Sequence, residues 1–203
     1  MQALLDSVKS LSPKERKALA TLLKRQGVNL YGVAPISPRG AGEPAVLSYA
    51  QQRQWFLWQL EPESTAYNVP VALRLKGDLD LEALRSSFLA MIDRHEILRT
   101  TFQQDGDHAV QLIAPATAFS LQVQALDHAP GADLEPLLKR QVEEETQRPF
   151  DLEKGPLLRV KLLRLASREH ALVLTLHHSI ADGWSMPIIV DELIQGYEAS
   201  RRG

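Results

Sequence analysis

From Ser48 to Ser200 the hydrophobic pattern switches repeatedly between helical and extended spacing. That alternation narrows the chain to an α/β sandwich with a mixed sheet and flanking helices. Ser48 is set to cap a helix through Leu60 that carries Trp55, Phe56 and Trp58. These aromatics at helical spacing are expected in the core. Val69, Val71, Leu73 and Leu75 alternate as a strand with one buried face. Asp80 caps a helix in which Leu84, Phe88, Met91 and Ile92 line up. Residues 100–104 and 108–113 flank Asp105-Gly106, a hairpin signal. A strand is expected over 119–126 and a helix over 133–146. Two more strands, 158–165 and 171–176, are joined by Ser167-Arg168-Glu169-His170. The last helix starts near Ser185, with Pro187 in its first turn, and runs to about Ser200.

Upstream lies a different kind of segment. Ala34-Pro35-Ile36-Ser37-Pro38-Arg39-Gly40-Ala41-Gly42-Glu43-Pro44 is rich in Pro and Gly and reads as a linker. The chain therefore divides into 1–43, a helical leader plus linker, and 44–203, the main domain. In the leader Leu4, Leu5, Val8 and Leu11 recur at helical spacing. Ser12-Pro13-Lys14-Glu15 marks a second helix start, with Ser12 as N-cap, and Gly27 is its stop. With 203 residues, one domain plus an appendage is the expected organisation. A net charge of −2 argues against a basic footprint for nucleic acid and offers no strong field for an anionic membrane surface. The absence of cysteine excludes disulfides, Cys-based zinc sites and a thiol nucleophile. No apolar signal core opens the chain, and no apolar run approaches the ~20 residues of a membrane helix. These features fit a cytoplasmic address.

The chemistry concentrates in His177-His178-Ser179-Ile180-Ala181-Asp182-Gly183. Strand alternation puts His178 on the face of Leu172, Leu174 and Leu176, and His177 on the face of Val173 and Thr175. The two histidines cannot share one job. One faces a cleft and the other enters the packing. Histidine suits a proton shuttle because it titrates near neutrality. Asp182 can orient the ring or brace the loop. Gly183 tolerates backbone angles that other residues do not. With no Gly-x-Ser-x-Gly elbow around Ser179, direct attack of one bound substrate on another is favoured over a covalent enzyme intermediate. A pair of core histidines is the bland alternative. Metal binding lacks a third ligand at motif spacing, since His95, His108, His128 and His170 are scattered.

The run from His177 through Trp184-Ser185 resembles the His-His-x-x-x-Asp-Gly signature of non-ribosomal peptide synthetase condensation domains. Two further stretches match in order: Leu47-Ser48-Tyr49-Ala50-Gln51-Gln52-Arg53-Gln54-Trp55-Phe56-Leu57 and Arg94-His95-Glu96-Ile97-Leu98-Arg99-Thr100-Thr101-Phe102. Arg148-Pro149-Phe150-Asp151-Leu152 with Pro156-Leu157-Leu158-Arg159 is also typical. The resemblance covers about residues 44–203. It implies one lobe of a fold built from two chloramphenicol-acetyltransferase-like lobes facing each other across a tunnel. Carrier proteins reach that tunnel from both ends on 4'-phosphopantetheine arms, and no cofactor is bound directly.

By the same resemblance, His178 points into the tunnel and assists the acceptor amine as it attacks the donor thioester. His177 is structural. Asp182 holds the loop, through an ion pair with an arginine such as Arg94, and Arg99 is a second structural arginine. Gly183 lets a substrate arm pass close, and its amide supports a developing oxyanion. Gln51 and Arg53 brace the fold. The motif wording favours the subtype that joins two L-residues; a starter domain taking a fatty acyl donor, a stand-alone acyltransferase of the superfamily and an idle carrier-binding domain are the alternatives. The family needs about twice this length, so the second lobe is absent. The expectations are a fragment inactive alone, an exposed apolar face that favours self-association, and partners comprising donor and acceptor carrier proteins and adjacent synthetase domains. The leader is either a docking element for an upstream synthetase protein or a linker, with linker favoured because an amphipathic stripe usually packs on its own domain.

Overall fold

The computed structural model describes residues 11–26, 45–116, 119–126 and 133–202. The chain separates into two units, Met1–Glu43 and Pro44–Gly203. In the first, α1 (Pro13–Arg25) opens on Ser12, whose hydroxyl accepts from the Glu15 amide while the Glu15 carboxylate accepts from the Ser12 amide, a reciprocal capping box. The expected helical positions Leu4, Leu5 and Val8, the Gly27 stop and the linker through Pro44 lie outside the described residues, and Leu11 sits in a bend before α1.

The second unit runs β1 (Ala45–Val46), α2 (Tyr49–Leu60), β2 (Asn68–Lys76), α3 (Leu81–Arg94), a 3-10 turn (Glu96–Arg99), β3 (Thr100–Asp105), β4 (His108–Ile113), β5 (Gln122–Ala125), α4 (Glu135–Thr146), β6 (Leu158–Ala166), β7 (Glu169–His177) and α5 (Ser185–Arg202). Ser48 forms a second capping box with Gln51, and the Asp80 carboxylate accepts from the amides of Glu82 and Ala83, so both expected caps are in place. Four strands form a mixed sheet in the order β2-β7-β6-β5, with β5 and β6 parallel and the other pairs antiparallel. The β3-β4 hairpin joins β1 in a separate antiparallel sheet. Its loop is Gly106-Asp107, one residue later than the Asp-Gly signal, because the positive φ of 57° falls on Gly106 at the first loop position.

β7 lies inside the mixed sheet and is buried on both faces from His170 to His177. Leu172, Leu174 and Leu176 pack with Leu84, Phe88, Met91 and Ile92 of α3 and with Ile189 and Leu193 of α5. Ala171 and Val173 pack on the other face with Leu163 and Leu165, under Leu138 and Val142 of α4. Helices thus cover both faces, the arrangement that lets a strand be apolar throughout. β2 is an edge strand, which is why Pro70 is tolerated within it. Its Val71, Leu73 and Leu75 face the larger core and alternate with exposed Pro70, Ala72, Arg74 and Lys76. α3 and α5 approach closely at Gly196, where an added Cβ would stand 3.3 Å from the Ser87 Cβ.

The aromatics of α2 divide. Trp55 is buried and Trp58 half-buried, but Phe56 is 58% exposed and so is not a core residue. Consecutive residues on a helix are about 100° apart, so Trp55, Phe56, Leu57 and Trp58 cannot share one face.

Candidate active site

β7 delivers the two histidines to its C-terminal end, and they diverge there. His177 is the last strand residue, 4% exposed, while His178 lies one step beyond and is exposed. The His177 ring packs edge-on to Phe150, with centroids 5.9 Å apart, and tilted against Tyr67 at 6.1 Å. Its Nδ1 accepts from the Ser179 amide at 3.2 Å and lies 2.8 Å from the Ser179 hydroxyl. Burial, with a smaller contribution from the neighbouring His178 charge, lowers its pKa to about 4. At neutral pH His177 is therefore an uncharged ring whose Nδ1 is an acceptor, with the proton on Nε2. The Ser179–His177 pair has the separation of a nucleophile and its base. Both residues are buried, however, and Nδ1 also takes the serine's own amide, so the pair closes a tight turn.

The loop after His177 is braced along its backbone. The His178 amide donates to the Tyr67 carbonyl at 2.8 Å, extending the β2–β7 ladder by one residue. The Ile180 amide donates to the His177 carbonyl at 3.0 Å. Gln51, already in the α2 capping box, donates from Nε2 to the Ser179 carbonyl at 3.2 Å, whereas Arg53 is exposed to solvent and does not share that bracing role. At the far end, Asp182 Oδ1 accepts from the Ser185 amide at 2.9 Å and the Ser185 hydroxyl at 2.7 Å. These bonds, the side-chain one first, hold the Asp182 carboxyl below its usual range, and a charge on His178 adds to the effect.

The expected ion pair between Asp182 and Arg94 is not formed. Arg94 is 72% exposed and lies 3.8 Å from Glu192 of α5. A partner three residues away needs only a tight local turn, whereas Arg94 must give up rotamer freedom to reach the loop. Glu192 also accepts from His95 Nε2 at 2.8 Å, so the Arg94-His95 dipeptide ties the end of α3 to α5. Arg99 is half-buried and donates to the carbonyls of Ile92, Asp93 and Ala114. It satisfies the last turn of α3, whose carbonyls have no helical partner.

Gly183 has no positive φ, so conformational freedom is not what its position requires. What the position offers is space. An added Cβ there would meet nothing within 4 Å, and its amide has no hydrogen-bond partner among the described residues. Trp184 beside it is 88% exposed.

Sequence reasoning missed the support behind His177. Arg159 of β6 stacks over Phe150, with its guanidinium carbon 3.7 Å from the ring centre. The same guanidinium pairs with Glu145 at 2.6 Å and donates to the carbonyls of Glu145, Arg148 and Pro149. Phe150 in turn faces His177. Arg159 and Phe150 both stand in the family-like runs, but their contact depends on α4 crossing β6, which no local pattern encodes. A cavity of about 270 Å³ is lined by Trp58, Glu61, Tyr67 and His177 among others, and His178 is not in its lining. Among the described residues no group of three or more His, Cys, Asp or Glu side chains is placed to hold a metal ion, and no helix is long and apolar enough to cross a membrane.

Known proteins share both this sequence and this fold. A linear gramicidin synthase of Brevibacillus parabrevis is 45% identical over 185 residues, which is 91% of this chain and 2% of that protein. The crystal structure of the starter condensation domain of rhizomide synthetase RzmA is 27% identical with a TM-score of 0.72, over 80% of this chain and 39% of that one. The X-domain from teicoplanin biosynthesis is 33% identical with a TM-score of 0.72, over 83% of this chain and 35% of that one. The chain thus spans a small part of the synthetase and well under half of each solved domain. Residues 43–203 match the condensation-domain model, and the chain belongs to that family.

Proposed function

We propose that residues 44–203 are the N-terminal lobe of a condensation domain that joins two carrier-bound substrates through an amide bond in a non-ribosomal peptide synthetase. The observation that carries this reading is the exposed His178 imidazole on a loop whose backbone is fixed on both sides, next to the open Gly183 amide. In the reaction the neutral acceptor amine attacks the donor thioester carbonyl. The C–N bond forms, His178 takes the amine proton, and the C–S bond breaks as that proton is delivered to the departing thiolate. A positioned base of this kind contributes about 10²–10⁴-fold. The Gly183 amide faces the space where the carbonyl oxygen gains charge. His177 and Asp182 are structural: one shapes the turn and the other fixes the entry to α5. Arg99 supports the site from the end of α3, and Arg94 contributes through Glu192.

Both substrates arrive as thioesters on 4'-phosphopantetheine arms, so donor and acceptor carrier proteins are the partners, together with a C-terminal lobe, in the cytoplasm. His178 faces open surface on this lobe, which is why the lobe alone is inactive and its exposed apolar groups favour self-association. The motif wording favours two L-residues as substrates. The likeness to the RzmA starter domain supports the alternative of a fatty acyl donor, which a donor competition assay separates.

The test uses the intact two-lobed domain with loaded carrier proteins. His178→Ala abolishes amide product while carrier affinity is retained. Unchanged product formation in the variant removes His178 from the chemistry, whereas carrier binding without product from the parent domain favours an idle carrier-binding domain.

A further inference from the structure

We propose that Tyr67 is a positioning residue for the His178 imidazole, an inference that rests on His178 being the reacting side chain. The His178 ring is exposed, has no hydrogen-bond partner among the described residues, and touches one described aromatic ring, that of Tyr67. The centroids are 6.5 Å apart at 62°, an edge-on arrangement within the favourable range for aromatic pairs. An imidazole that must meet an amine proton needs a defined direction, and the edge-on Tyr67 ring restricts it.

Tyr67 is itself fixed. It immediately precedes β2, whose first residue, Asn68, pairs with His177, so Tyr67 stands opposite His178. Its carbonyl accepts the His178 amide at 2.8 Å, and its turn is closed by the Asn68 amide on the Thr65 carbonyl at 3.0 Å. The Asn68 side chain then anchors the strand start by donating to the carbonyls of Thr146 and Arg148. The second face of this arrangement is His177, whose ring is 6.1 Å from the same tyrosine. One half-buried ring therefore stands against both histidines: the buried neutral one gives it a fixed neighbour, and the exposed one takes its direction from it. The contact needs the ring and not the hydroxyl.

The experiment has two arms. In the intact domain, Tyr67→Leu lowers kcat about tenfold with KM for both carrier substrates unchanged, since a misplacement of about 1 Å costs up to about a hundredfold. Tyr67→Phe stays within about twofold of the parent because the edge is kept. Tyr67→Met has no ring edge, makes the same prediction as Leu, and covers the case in which Leu does not fold. In this chain, three-bond couplings of His178 measured by NMR report one dominant χ1 rotamer, which Tyr67→Leu or Tyr67→Met averages and Tyr67→Phe preserves. Parental kcat and unaveraged couplings in the ringless variants overturn the inference, as does a Phe variant as slow as Leu. Full activity of His178→Ala would instead overturn the functional reading, and the coupling arm would still report on the contact.

Discussion

Lowering the pH should destabilise this domain through His177, and the size of the effect follows from its burial. The ring is 4% exposed and its pKa is lowered to about 4 from the usual 6.5. The unfolded chain therefore binds a proton near the usual value, and the folded chain binds it only near the lowered one. Stability from this group is complete above about pH 7, falls as the pH drops through the interval, and levels off below about pH 4. The full interval corresponds to about 3 kcal/mol, and the part between about pH 7 and pH 5 to about 2 kcal/mol. The assay is urea denaturation of this chain at several pH values, followed by tryptophan emission, beside the His177→Asn variant. Asparagine places an acceptor near the Nδ1 position and so keeps the Ser179 turn, but it does not titrate in this range. The parent loses about 2 kcal/mol more than the variant between the two pH values. Other groups, including His170, whose pKa is also lowered by burial, cancel in that comparison. Equal pH slopes for parent and variant would refute the claim that His177 is held neutral by burial.

Two further substitutions separate buried support from surface charge. Arg159→Met leaves Glu145 buried without its partner and removes the cation over Phe150, so it costs about 3–5 kcal/mol by denaturant titration; the double variant Arg159→Met with Glu145→Met recovers most of the loss. Arg99→Ala frees two carbonyls at the end of α3 and that of Ala114 after β4, and lowers Tm by several degrees, whereas Arg94→Ala, at an exposed pair, changes stability by less than about 0.5 kcal/mol.

Much of the fold was legible because the relevant forces are local. Ser48 with Gln51 and Asp80 with Glu82 and Ala83 are helix starts decided within four residues. The opposite facing of His177 and His178 follows from the two-residue period of a strand, given where β7 ends. The division of the sheets was not legible, because the hairpin's choice of β1 over the mixed sheet depends on which edges remain open once β7 is covered. Nor was the partner of Asp182. Charge pointed to Arg94, but Ser185 wins on loop entropy, and Arg94 pairs with a glutamate on α5 that belongs to no motif. Glu145 and Tyr67 escaped for the same reason, since each becomes significant only through a strand pairing or a helix crossing distant in sequence.

These particulars also account for two histidines standing side by side. The first position needs a buried acceptor that can reach back to the Ser179 amide, and a neutral imidazole supplies it. In the proposed mechanism the second needs an exposed ring. Were His177 to titrate normally, it would gain charge as the pH fell toward its usual value, beside the histidine of the proposed proton transfer. Burial against Phe150, itself capped by Arg159, removes that conflict: it holds His177 uncharged at neutral pH. The buried Arg159–Glu145 pair, lying behind Phe150 and not beside the histidines, therefore bears on the protonation of His177 through the ring it stacks against. A variant that loosens Phe150 should raise the His177 pKa toward its usual value, a change that NMR titration of that ring would read directly.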